Sequence, residues 1–113
     1  MGCGGVNRSN TEAVSRAFLS AYYGQDMERA MELASEATCE ELQMVIDTWT
    51  NEGITPEEAR EMAMPVIIEI HGARIDGDTA YCSYTICIDR NDANAMPETL
   101  LLVQENKVWK ADF

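Results

Sequence analysis

Residues 65–89 read PVIIEIHGARIDGDTAYCSYTICID, and this stretch decides the fold. Ahead of Pro65 the apolar residues recur at helical spacing; beyond it they alternate, so the period drops from about 3.6 to 2 and helix gives way to strand. Pro65 ends the preceding helix, because its ring removes a donor and pushes the residue before it toward extended backbone. Residues 66–75 are expected to form one strand and residues 79–89 its antiparallel partner. Asp76-Gly77-Asp78 makes the tight turn, since Asp-Gly tolerates the positive φ angles such turns need. Alternation then assigns faces. On the second strand Ala80, Cys82, Tyr84, Ile86 and Ile88 share the enclosed side, leaving Thr79, Tyr81, Ser83, Thr85, Cys87 and Asp89 outside. On the first strand Val66, Ile68, Ile70, Gly72 and Arg74 are expected inside, and Ile67, Glu69, His71, Ala73 and Ile75 outside.

Downstream, the polar residues 90–95 connect to a second hairpin, residues 98–104 and 107–113, turning at Glu105-Asn106-Lys107. Its facing stays open, because Leu100 to Val103 are apolar on both faces and Trp109 suits either. Upstream, the chain is rich in Ala, Glu and Met, which favour helix. Ser9 with Glu12 forms a capping box for a helix carrying Val14, Ala17, Phe18, Ala21 and Tyr22 on one stripe and stopping at Gly24. Asp26 caps a shorter helix with Met27, Ala30, Met31 and Ala34 on its apolar side. Thr38 with Glu41 makes a second capping box, leading into Leu42, Val45, Ile46 and Trp49 and closing at Gly53. Thr55-Pro56 with Glu58 opens a short fourth helix. A run of helices followed by a run of strands gives an α+β domain, with about four helices on one face of a four-stranded antiparallel meander sheet.

The 113 residues suffice for one domain, expected over residues 10–113 behind a flexible segment at residues 1–9. Eight basic residues stand against 20 acidic ones, a net charge of −12 and a pI near 4.2. Such a field repels phosphate backbones, so no nucleic-acid partner is expected. The acidity is uneven: residues 1–64 carry net −8 and residues 65–113 net −4. The apolar run Pro65 to Ile68 is strand-sized, and no continuous apolar run comes near the length of a membrane span.

The helical hairpin with Phe18, Tyr22, Gly24 and Asp26 resembles the one that opens small domains of the nuclear transport factor 2-like (NTF2-like) superfamily. Gly77-Asp78-Thr79-Ala80-Tyr81, then Glu98-Thr99-Leu100, then Val108-Trp109-Lys110-Ala111-Asp112-Phe113 are similar to the strand pattern of a bacterial lipoprotein family of unknown function, family 4878, lumazine-binding-like. The resemblance covers about residues 10–113 and implies a cystatin-like cone, in which a curved sheet wraps a long helix and leaves a pocket at the open end. The chain departs from the commoner superfamily order by lacking a strand before residue 65. Gly2-Cys3-Gly4-Gly5, ahead of polar residues, resembles a lipoprotein cleavage site with Cys3 as the lipid-bearing residue. That implies an extracytoplasmic domain touching the membrane only through its anchor; the alternative is a cytoplasmic protein. Myristoylation at Gly2 is disfavoured by Val6, where Ser or Thr is wanted.

Catalytic relatives in the superfamily, the ketosteroid isomerase-like and polyketide cyclase-like enzymes, hold an Asp or His inside the cone as general base. Here the expected enclosed positions are almost all aliphatic. Tyr84 is the strong inward polar candidate, with Arg74 at its edge; Tyr22 and Trp49 complete the candidate ligand-binding set. Tyr84 either donates to a ligand carbonyl or is a core tyrosine whose hydroxyl reaches solvent. His71, two residues from Glu69 on one strand face, is either a proton relay or a surface histidine. No metal is expected, because neither Cys-x-x-Cys nor His-Glu-x-x-His spacing occurs, and Asp76, Asp78 and Asp89 suit turns better than a calcium loop. No cofactor is expected either.

Cys82 and Cys87 lie five positions apart on one strand and face opposite ways, so they do not bond each other. Cys39 and Cys82 either meet inside or remain buried thiols. The methionines at 27, 31, 44, 62 and 64 fill core or line a peptide or lipid groove. The resulting expectation is a non-catalytic module binding a small apolar ligand or a protein, with homodimerisation through the outer sheet face at Tyr81 and Ile67. The alternative is a small isomerase-like or cyclase-like enzyme.

Overall fold

The computed structural model describes residues 9–88 and 95–113. Cys3, the rest of the segment before Ser9, Asp89 and most of the 90–95 connection lie outside the described residues. Four helices precede four strands: α1 (Thr11–Tyr23), α2 (Met27–Glu32), α3 (Glu36–Asn51), α4 (Pro56–Met62), β1 (Ile67–Asp76), β2 (Thr79–Cys87), β3 (Glu98–Glu105) and β4 (Val108–Ala111). The strands form one antiparallel sheet in the order β1-β2-β3-β4. The fold is therefore α+β with the expected meander.

Helix starts follow local chemistry, with two shifts from expectation. Asn10, not Ser9, caps α1, its side chain accepting from the Ala13 amide at 2.9 Å. Ser35 caps α3 three residues before Thr38, and its hydroxyl also donates to Asp112 at 2.7 Å. Thr38 is thereby freed to accept from the Phe113 amide at 2.8 Å. Asp26 caps α2, and the Thr55–Glu58 capping box forms in full with Pro56 in the first turn. Gly24 ends α1 in ordinary backbone. A Cβ there would lie 2.8 Å from the Ser20 carbonyl, while Gln25 takes the positive φ of 61°. Positive φ at both Asn106 and Lys107 turns the β3–β4 hairpin, as a two-residue turn of primed type requires.

Helix α1 touches all four strands and places Val14, Phe18 and Leu19 fully inside. Opposite lie Ala80, Cys82 and Tyr84 from β2, Leu100 and Leu102 from β3, and Trp109 and Ala111 from β4. The last hairpin is thus resolved: Leu100 faces Cys82 and Leu102 faces Ala111 across the ladder on the inner side, leaving Leu101 and Val103 outside. The edge of β4 is covered by the α2–α3 connection. Ser35 donates to Ala111 and Ala111 donates to Leu33, both at 2.8 Å, around an Ala34–Ala111 bridge. Among the described residues this bridge is the only extended pairing before residue 65, and it blunts an edge that would otherwise offer unpaired amides.

Strand β1 corrects the parity argument. Ile70 pairs with Tyr84 but Gly72 pairs with Ser83, so His71 is an extra residue opposite nothing, a β-bulge. Gly72 supports it with φ of +144°, where side-chain-bearing residues are strained. Past the bulge every side chain changes face. Ala73 joins Cys82 on the inner side, and Arg74, expected inside, pairs with Tyr81 on the outer face. Ile88, also expected inside, lies beyond the end of β2 and is 63% exposed.

Candidate functional site

The inner face carries one concentration of groups that can do more than pack. Helix periodicity sets Phe18 and Tyr22 one turn apart on α1, with ring centroids 6.0 Å apart. Tyr23 meets Tyr22 edge-on at 5.3 Å, and Phe113 closes the row at 4.7 Å from Tyr22 and 5.6 Å from Phe18. From the sheet Tyr84, only 3% exposed, sends its hydroxyl to that of Tyr23. Glu98 is the cross-strand partner of Tyr84, so its exposed carboxylate sits at the rim of the same face.

Electrostatics keep these phenols neutral. Burial, the Glu98 carboxylate and the bond to Tyr23 push Tyr84 up to about 12. Tyr23 is raised as well, by burial and then by Glu98, against a lowering from the Tyr84 hydrogen bond. Both therefore act as hydrogen-bond donors and acceptors, not as bases, at any ordinary pH. No carboxylate and no imidazole is buried among the described residues; the buried polar side chains are Thr11, Ser15, Ser35, Thr38 and Thr85. No pocket opens between the described residues.

Of the four residues expected to bind ligand, Tyr84 and Tyr22 are brought together through Tyr23. Trp49 packs half-buried against the core from α3. Arg74 is separated from them by the sheet itself, its guanidinium lying over the Tyr81 ring at 5.2 Å. Four residues of the cluster stood outside that set: Phe18, expected only as core, Phe113, expected only as the end of the last strand, Tyr23 and Glu98. Tyr23 falls off the apolar stripe of α1, and Glu98 meets Tyr84 only through a β2–β3 register that a long connection does not fix.

On the outer face His71 Nε2 lies 2.6 Å from Thr85 Oγ1, which satisfies a hydroxyl buried beneath it. Among the described residues no group of His, Cys, Asp and Glu side chains is arranged to hold a metal ion. Cys39 and Cys82 are not joined: Cys39 Sγ donates to the Met31 carbonyl at 3.1 Å, and Cys82 is fully buried. Burial raises both thiols, so both are poor nucleophiles. No helix of the described residues is long and apolar enough to cross a membrane.

No protein-family model matches the chain, and no curated protein matches it. Solved structures do. A Campylobacter jejuni protein described as a candidate NTF2-like transpeptidase superimposes with a TM-score of 0.60 at 18% identity, over 92% of this chain and 98% of its own. A SEC-C motif containing protein from Rhodopseudomonas palustris superimposes with a TM-score of 0.57 at 12% identity, over 94% of this chain and 77% of its own. At such identities the likeness concerns the fold alone. The chain shares the α+β fold of its NTF2-like neighbour.

Proposed function

We propose that the chain is a non-catalytic binding module of an exported bacterial lipoprotein, akin to the lumazine-binding-like family 4878, with Cys3 as its lipid attachment. The observation that carries the non-catalytic reading is the interior itself. Among the described residues the inward titratable groups of raised pKa are Cys39, Cys82, Tyr23 and Tyr84, and a general base needs a pKa near the working pH in a shielded site. Binding by this module uses the aromatic row and the surrounding apolar surface. Homodimerisation uses the outer sheet face at Tyr81 and Ile67.

A second reading has one observation in its favour. Glu98, beside the phenol pair, is a carboxylate next to two donors, which an isomerase-like enzyme would employ. The two separate in a single assay: incubation with a β,γ-unsaturated cyclic ketone, following the conjugated enone by absorbance. No rate above buffer is expected. Turnover that Glu98→Gln abolishes overturns the proposal. Mass spectrometry of the protein expressed from its full gene in a bacterial host tests the anchor, with a diacylglyceryl mass on the Cys3 peptide expected and an unmodified, cytoplasmic Cys3 against it.

A further inference from the structure

The aromatic row gathers where α1 stops. The last turn of that helix supplies Tyr22 and Tyr23, β2 supplies Tyr84, the start of β3 supplies Glu98, and Phe113 follows β4, its amide anchored to Thr38 of α3. The members differ in depth. Phe18 and Tyr84 are 0% and 3% exposed and form the floor, whereas Tyr22 and Tyr23 are half-buried and Phe113 is 46% exposed. Tyr22 meets Tyr23 at an interplanar angle of 87° and Phe113 at 56°, so the outer rings frame a corner instead of one flat stack.

Charge indicates what the corner accepts. Glu98 is exposed and, among the described residues, has no ion pair and no side-chain hydrogen bond; the ion pair present, Lys110 with Glu105, lies on the last hairpin. Its carboxylate acts on both Tyr23 and Tyr84, and no Lys or Arg of the described residues acts on either to offset it. Helix α1 also ends here with no basic residue in its last turn, so the partial negative charge of its carbonyl end adds to that of Glu98. The faces of the rings are themselves negative. An anion would be repelled from such a corner. A small bare cation would keep its water, because ring faces replace a hydration shell poorly. An alkylated ammonium is large, weakly hydrated and apolar at its surface, which is the cation that aromatic faces hold best.

We propose that this corner binds a trimethylammonium group, its methyls against the rings of Tyr22, Tyr23 and Phe113 and its charge beside Glu98. The inference rests on the binding-module reading and names the ligand's chemistry. With no pocket among the described residues to enclose it, the head group alone touches the protein and the rest of the ligand stays in water, so the affinity is about millimolar. A free choline-like solute and a choline lipid present the same group.

The intact chain is titrated with tetramethylammonium chloride at constant ionic strength and followed by proton NMR. The methyl resonance is expected to move upfield, as that of a nucleus above a ring face does, and to saturate in the millimolar range, with the amides of Tyr22, Tyr23 and Phe113 shifting in step. Choline behaves alike, while its neutral carbon isostere dimethylbutanol binds about tenfold or more weakly. Glu98→Gln and Phe113→Leu, both at exposed positions, each weaken binding about threefold or more with the circular dichroism unchanged. Glu57→Gln, which removes the same charge from α4, leaves binding as it was. Phosphatidylcholine vesicles name the source: co-sedimentation that free choline competes away identifies the lipid head group, and choline binding without co-sedimentation identifies the free solute. An isostere that binds as well as choline, amide shifts confined to residues away from the end of α1, equal weakening by Glu57→Gln, or no methyl shift at all overturns the inference. No methyl shift together with no enone turnover defeats this inference only; enone turnover that Glu98→Gln abolishes defeats the binding-module reading, whatever the methyl resonance does.

Discussion

Replacing Tyr84 by Phe separates what its hydroxyl contributes from what its ring contributes, and the hydroxyl's two contributions depend on pH with opposite sign. In the folded chain the phenol is held near 12 by burial first and by Glu98 next, against an ordinary 10.0 when unfolded. Below about pH 10 both states keep the proton, and the hydroxyl stabilises through its bond to Tyr23 by about 0.5–1.5 kcal/mol. As pH rises through the unfolded value, the unfolded chain ionises first and folding loses free energy. The loss is complete above about pH 12, where a shift of about two units amounts to about 3 kcal/mol, a sizeable share of a total stability of about 5–15 kcal/mol. The Tyr84→Phe variant, with no hydroxyl, makes neither contribution. Wild type is therefore expected to be the more stable by about 1 kcal/mol near neutrality and the less stable by about 1–2 kcal/mol at the alkaline extreme, with the curves crossing at about pH 10.5–11. Urea titrations of both proteins by circular dichroism, stepped from about pH 8 to about pH 12, measure the difference directly. Ionisations remote from Tyr84 cancel in the comparison; that of Tyr23, whose phenol loses its bond to Tyr84 in the variant, does not. Curves that stay parallel across the whole range would show that Tyr84 is not desolvated, and the enclosed facing of β2 would fail with it.

Three further outcomes follow from single positions, and a fourth from the thiols. Gly72→Ala places a side chain at φ of +144°, and is expected to cost about 1–3 kcal/mol by urea midpoint, where an ordinary strand glycine would tolerate it. Arg74→Ala removes an exposed guanidinium stacked on Tyr81, so a loss of no more than about 1 kcal/mol is expected; a loss several times larger would return Arg74 to the interior. Ser35→Ala deletes the α3 cap and the bond to Asp112 together, lowering stability by about 1–2 kcal/mol in thermal or urea unfolding. Alkylation followed by peptide mapping is expected to label Cys39 and Cys82 far more slowly in the folded protein than in urea, since burial raises both thiols.

The sequence alone determined the elements, because their causes are local. The change of period at Pro65, the Asp26 and Thr55-Pro56 caps and the Asp76-Gly77 turn each act within a few residues, so four helices, four strands and their meander order were legible without a partner in view. What touches what was not. The bulge at His71 depends on two strands failing to match one for one, and a single inserted residue sends Arg74 to the solvent side and Ala73 to the core. The same holds for the facing of Leu100 and Trp109, settled by which side α1 occupies, and for Glu98 beside Tyr84, settled by β2–β3 register. Tertiary structure also decided how the methionines divide: the helical spacing of Met27 and Met62 looks alike along the chain, and only the packing of α2 against α1, and of α4 against almost nothing, makes one core and leaves the other in water.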